Sequence, residues 1–413
     1  MYALSPLPLR HEKFSVPYLV DETLREGIER TAFPISLDAK MQILHSLTDA
    51  GIRDFVIGCG PEEPLVWDRV QQEKRDGTLP SDTQTTFIIL VNCWETAYYY
   101  FSQRKQNIED IEDTIFSFGM ITYRKNENEF EKALMAFKKL GAKKFKASIL
   151  NNFRTSVSDQ TYSAICQQID WAISLGVSII RINDSLGSLQ PHITQWLCSK
   201  LVKDYPGITF CLHAHNDNGL AVANAMQSIQ SGFQMIEGSL AGFGNRSGIA
   251  PIEQVLKLCL NNDIKLGNHE INLKKIIRTA QACEEIFLQP PNIYRSVSGI
   301  FETDSNYGVL NIPDFLEAKD EKSYFINLVG LHPNTIKQAL KEYCPSLDLT
   351  NIPSQRWLHV IELIKIKMQA EAIETEAKYK ALRLHLHNYY RSSAYSPQKI
   401  ASIAYKLLVE NEA

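Results

Sequence analysis

From residue 18 to about 260, short apolar runs alternate with longer stretches whose apolar residues recur at three-and-four spacing. The runs predict eight strands: "YLVD" (18–21), "DFVIGC" (54–59), "TTFIILVN" (85–92), "TIFSFGMI" (114–121), "KFKASI" (144–149), "SIIRIND" (178–184), "TFCLHAH" (209–215) and "MIEGSLAG" (235–242). The stretches between them read as helices. "SLDAKMQILHSLTDAG" (36–51) opens on a serine cap and closes at a glycine, and "DQTYSAICQQIDWAISLG" (159–176) also ends at glycine. Eight such units in about 240 residues predict a (β/α)₈ TIM barrel, an α/β fold. An open doubly wound sheet is the alternative, and the even spacing favours closure.

After about residue 262 the rhythm breaks. "NLKKIIRTAQACEEIFL" (272–288) is helical, "QPPNIY" (289–294) reads as a linker, and 299–315 is rich in turn residues. From 333 to 413 the pattern is mostly helical. The expected organisation is a barrel over 1–265, a linker and lid-like subdomain over 266–330, and a helical C-terminal subdomain over 331–413.

Composition narrows the class. The chain has 413 residues, 44% of them hydrophobic, with 20 Gly and 17 Pro, as in an ordinary soluble protein. A net charge of −4 argues against nucleic acid as a partner, because no basic excess is available to neutralise phosphates. The eight cysteines are scattered with no C-x-x-C pair, which fits a reducing cytoplasm better than a disulfide framework. The N-terminus lacks a signal pattern and no apolar run is long enough to span a membrane.

In a TIM barrel the active site lies at the C-terminal strand ends. Polar residues collect there: Asp21 to Glu26, Asn92, Lys146 and Ser148, Asn183 to Ser185, His213 to Asp217, and Asn245 to Arg246. In "CLHAHNDNGL" (211–220) a strand would point His213 and His215 the same way, as ligands to one ion require. The alternative is two polar residues at a strand end. A second H-x-H, His385 and His387, falls in a helical stretch, where residues two apart diverge by about 200°, and reads as structural. In "DETLREG" (21–27) the acid beside Arg25 is either a plain ion pair or an oxygen ligand next to a cation that can hold an oxyanion. Two imidazoles and a carboxylate suit Mg, Mn, Zn or Fe.

"DETLREG", "HAHNDNGLAVANA" (213–225) and "GFGNRSGIAPIEQV" (242–255), taken in order on the first, seventh and eighth strands, resemble the DRE-TIM metallolyases, notably the homocitrate and isopropylmalate synthases. The resemblance covers roughly 15–262. It implies Glu26, His213 and His215 as ligands to a divalent metal, and Arg25 as the catalytic cation stabilising an enolate or alkoxide. A Glu ligand and Ile249 look like the homocitrate branch. Lys146, Ser148 and Ser185 would bind substrate, Ser185 taking the place of a family threonine in "INDSLG" (182–187). Asp21, Asn216 and Asp217 would form the shell behind the ligands.

The departures fall in one half of the site. Where the synthases read R-F-S-x-E-D, this chain reads "KASILNNFR" (146–154), with Lys146 for the arginine and Leu150 for the glutamate. Where they carry G-I-H, it reads "SGIFETD" (298–304), with Phe301 for the histidine. The metal and arginine half is kept, and the acetyl-CoA half is rewritten. The resemblance implies a metal-dependent acyltransferase that forms a carbon–carbon bond at a small 2-oxo acid, with an acyl-CoA as candidate co-substrate, working as a homodimer. An aldolase or lyase without acetyl-CoA, for which Lys146 could form a Schiff base, is the second reading, and a pseudoenzyme that keeps the fold is the third.

Overall fold

The computed structural model describes residues 15–31, 33–104, 107–121, 127–151, 153, 157–267, 269–299, 328 and 330–410. Eight parallel strands close a barrel in chain order. They are β1 (Tyr18–Asp21), β2 (Asp54–Cys59), β3 (Gln84–Leu90), β4 (Ile115–Ile121), β5 (Lys144–Asn151), β6 (Ile179–Asp184), β7 (Thr209–Ala214) and β8 (Met235–Gly238). Closure runs through β1 and β8, where Tyr18 lies opposite Met235 and Asp21 opposite Gly238. A short parallel pair, Ser15–Val16 with Lys265–Leu266, lies outside the barrel.

The helices form where the pattern predicts. α1 (Thr23–Arg30) follows β1 at once. α2 (Leu37–Asp49) is capped by Ser36, whose side chain accepts from the Ala39 N–H at 3.2 Å. The main core lies between strands and helices and includes Phe55, Phe87, Phe116, Phe145, Ile180 and Phe210. The alternate strand positions face inward. Val20, Val56, Ile88, Cys211 and Met235 make a small apolar cluster there, and β5 to β8 add charged and polar side chains to the same interior.

Two strand ends differ from expectation. β7 stops at Ala214, and His215 instead bridges to Ile249. β8 stops at Gly238, because the chain then turns through Leu240–Gly242 with Ala241 at φ 58° and Gly242 at φ 66°. Both breaks fold the loop after β8 over the barrel mouth.

The chain divides into two compact units, Met1–Pro291 and Asn292–Ala413. The helix expected over 272–288 forms as α3 (Leu273–Ile286) and packs with α2, so the barrel unit runs past 265 and includes it. In the second unit, Leu331, Ile336, Trp357 and Ile361 form a small core. His385 and His387 lie exposed on its 40-residue helix α4 (Ser354–Ser393). Phe301 and the Leu150 side chain lie outside the described residues. Among the described residues, no helix is long and apolar enough to cross a membrane.

Candidate active site

The mouth is built first by the turn between β1 and α1. Asp21 accepts from the Thr23 N–H at 3.0 Å and from its hydroxyl at 2.7 Å, and the Thr23 hydroxyl accepts from the Leu240 N–H at 2.8 Å. Asp21 therefore ties the first strand end to the eighth. It makes no contact of this kind with the histidines. Burial raises its pKa to about 7.

This turn projects Glu22, Arg25 and Glu26 into the mouth. The Arg25 guanidinium meets Glu22 Oε2 at 3.2 Å, Glu29 Oε1 at 3.1 Å and Glu26 Oε1 in close contact. Burial opposes its charge, but Glu26 and Glu22 outweigh that and hold it firmly protonated. Glu26 is 1% exposed. Burial works to raise its pKa, yet Arg25 and His213 hold the carboxyl well below the usual range. Its second oxygen accepts from the Asn245 N–H at 3.2 Å. Gly244 permits that approach, since a Cβ there would lie 2.7 Å from Glu26 Oε2.

His213 and His215 point inward from β7 and its extension, with ring centroids 5.1 Å apart. His213 Nε2 lies 3.3 Å from Glu26 Oε1. The His215 Nδ1 is buried with no hydrogen-bond partner, and burial followed by the neighbouring His213 pushes its pKa down to about 4. One ligand atom each from Glu26, His213 and His215 lies within 4.8 Å of the others. An ionised carboxylate, a neutral imidazole with an open lone pair and a second imidazole fit a divalent ion at this position.

The other expected residues are distributed as follows. Asn216 accepts from the Ala221 N–H at 3.2 Å, and Asp217 makes a two-pronged pair with Arg246 at 2.8 and 2.9 Å. Both shape the loop, and neither bonds a histidine ring in the structure. The Ser185 carbonyl accepts from Arg246 at 2.5 Å. Ser148 is fully buried and its hydroxyl has no partner; the same holds for Ser117 Oγ and Asn183 Oδ1 on the adjoining strands. Lys146 is 2% exposed and its ammonium contacts Glu237, so the structure commits it to a carboxylate of the barrel itself.

The sequence reading missed the groups that surround His213. Arg181 bonds Glu22 Oε1 and Glu237 Oε2, each at 2.6 Å, and Glu237 Oε2 lies 3.1 Å from His213 Nδ1. Burial opposes ionisation of Glu237, yet Arg181 and Lys146 hold its pKa well below the ordinary value. A signal existed: Arg181 and Glu237 are charges inside otherwise apolar strands, at the same inward parity as the site residues.

The HMGL-like family model matches residues 121–283. The homocitrate synthase of Sulfurisphaera tokodaii is 25% identical over 319 residues, covering 73% of this chain and 68% of its own length. The 2-isopropylmalate synthase of Buchnera aphidicola from Acyrthosiphon pisum is 25% identical over 361 residues, covering 81% of this chain and 66% of its own. Residues 121–283 thus match an HMGL-like domain, and the synthase relatives support a DRE-TIM metallolyase member. An HMG-CoA lyase from Acinetobacter baumannii, solved with coenzyme A and 3-methylmalate, shares the fold with a TM-score of 0.55 at 15% identity, covering 72% of this chain and 98% of its own. The chain spans about two thirds or less of the length of the first synthases it matches.

Proposed function

We propose that this chain is a divalent-metal-dependent acyltransferase that forms a carbon–carbon bond at the carbonyl of a small 2-oxo acid, with an acyl-donor half unlike that of the homocitrate and isopropylmalate synthases. The observation that carries this reading is the convergence of Glu26, His213 and His215 beside Arg25 at the barrel mouth. These three residues would hold the ion, which when bound supplies a Lewis acid for a ketone oxygen. Arg25, kept cationic by its carboxylate neighbours, offsets negative charge as it grows on that oxygen. The unpartnered Ser148 hydroxyl gives an inward-facing donor for the substrate carboxylate. Ser185 would border the same pocket, at the strand end that the synthase motif uses. Lys146 and Glu237 neutralise each other beneath it.

The acyl half rests on Leu150 and Phe301, neither of which can take or give a proton. The test follows free-thiol release from a panel of acyl-CoA thioesters against a panel of 2-oxo acids, with and without chelator. Turnover with some pair, abolished by chelation, is expected, while acetyl-CoA with 2-oxoglutarate or 2-oxoisovalerate stays below about 10⁴ M⁻¹s⁻¹ in kcat/KM. Turnover that ignores chelation contradicts the metal reading. Efficient use of acetyl-CoA with either oxo acid contradicts the altered donor site.

A further inference from the structure

We infer that Glu237 is a positioning residue that keeps the His213 proton on Nδ1 and its Nε2 lone pair open toward Glu26. The inference deepens the metal reading above and rests on it.

The His213 Nδ1 has two charged neighbours of opposite kind. Arg181 Nη2 lies 2.5 Å away and Glu237 Oε2 lies 3.1 Å away. A guanidinium only donates and a carboxylate only accepts. A ring that offers Nε2 to a cation must carry its proton on Nδ1, so the productive partner there is the acceptor, Glu237. Arg181 is already the nearer group, and with that acceptor gone its donor would face Nδ1 unopposed. It would move the proton to Nε2, where Glu26 Oε1 waits at 3.3 Å and closes the ligand position.

The carboxylate is itself fixed from both sides. Lys146 on β5 contacts Oε1, and Arg181 on β6 donates to Oε2 at 2.6 Å. Arg181 is held in turn by Glu22 at 2.6 Å. All five side chains are buried, with at most 3% exposure, so water is poorly placed to replace a lost partner. Four of the five extend from inward positions of β5 to β8 and Glu22 from the turn after β1, which makes the cluster part of the barrel rather than of a mobile loop.

Removing the carboxylate also leaves a buried positive excess, so two effects have to be separated. Lys146→Met/Glu237→Met deletes one charge of each sign, keeps the balance and leaves no acceptor at Nδ1. Calorimetric titration with Mn²⁺ would compare the full-length chain, Glu237→Met and this double variant, with thermal unfolding as the check on folding. Both variants are expected to bind Mn²⁺ about 10–100-fold more weakly than the parent chain. A double variant with parental affinity would show that Glu237 serves only charge balance, and overturns the inference. A parent chain that binds no Mn²⁺ overturns the metal reading, a different result. Nitrogen-15 spectra of histidine-labelled, Zn²⁺-loaded parent protein need no variant to fold. They should show the His213 proton on Nδ1, and a bare Nδ1 overturns the inference as well.

Discussion

Arg25 meets three carboxylates with one guanidinium, and the Arg25 Nε still lacks a partner. A buried cationic donor without a partner is available to a negatively charged oxygen. Arg25→Ala should therefore lower kcat by roughly 10²–10³ with a smaller change in KM, measured by steady-state kinetics on the substrate pair found active. Full turnover in that variant would refute the role. At this scale the sequence was informative where one strand or one turn sets a side chain's direction. The spacing of His213 and His215, and the "TLRE" turn, aim three side chains at one point, where the Asn245 N–H then holds Glu26. Asn216 and Asp217 were legible only as neighbours in sequence. Their partners, Ala221 and Arg246, are set by how the following loop folds back, which periodicity does not encode.

The strands were legible because β-branched and aromatic residues at period two leave a clear record. Their ends were less so. The eighth run looks apolar through 242, yet its strand stops at Gly238, since the chain turns there to bring the Asn245 N–H onto Glu26. Gly244 is the residue on which this depends. Gly244→Ala places a methyl group 2.7 Å from Glu26 Oε2, and the carboxylate must shift. The expected outcome is weaker Mn²⁺ binding, by at least about tenfold, in a protein that unfolds within a few degrees of the parent. Unchanged binding by calorimetry would mean that the loop does not set the Glu26 position.

The whole barrel has two unlike ends. Opposite the candidate active site, a cavity of about 450 Å³ opens among Arg53, Asp54, Gln84, Lys144 and His269. Burial, partly offset by Lys146, raises the Asp54 pKa to about 6. The folded state thus prefers the neutral acid. That preference contributes stability below the unfolded pKa near 4 and is lost as pH rises through about 6. Asp54→Asn should accordingly raise the Tm by roughly 2–5 °C at pH 8 and leave it unchanged at pH 4. Equal shifts at both pH values would contradict the burial account. The chain divides after Pro291, within "QPPNIY", and the attachment of α3 to the barrel was not legible, because an amphipathic helix does not record which surface it covers.

The central claim is that one divalent ion sits between Glu26, His213 and His215. Anomalous scattering from crystals grown with Mn²⁺ tests it without reference to substrate or turnover. The account predicts a single strong peak at the barrel mouth, bonded to an oxygen of Glu26 and a nitrogen of each histidine at about 2.0–2.4 Å. No peak there, or one lodged instead among Glu22, His213 and Glu237, where the structure places the Arg181 guanidinium, would contradict it.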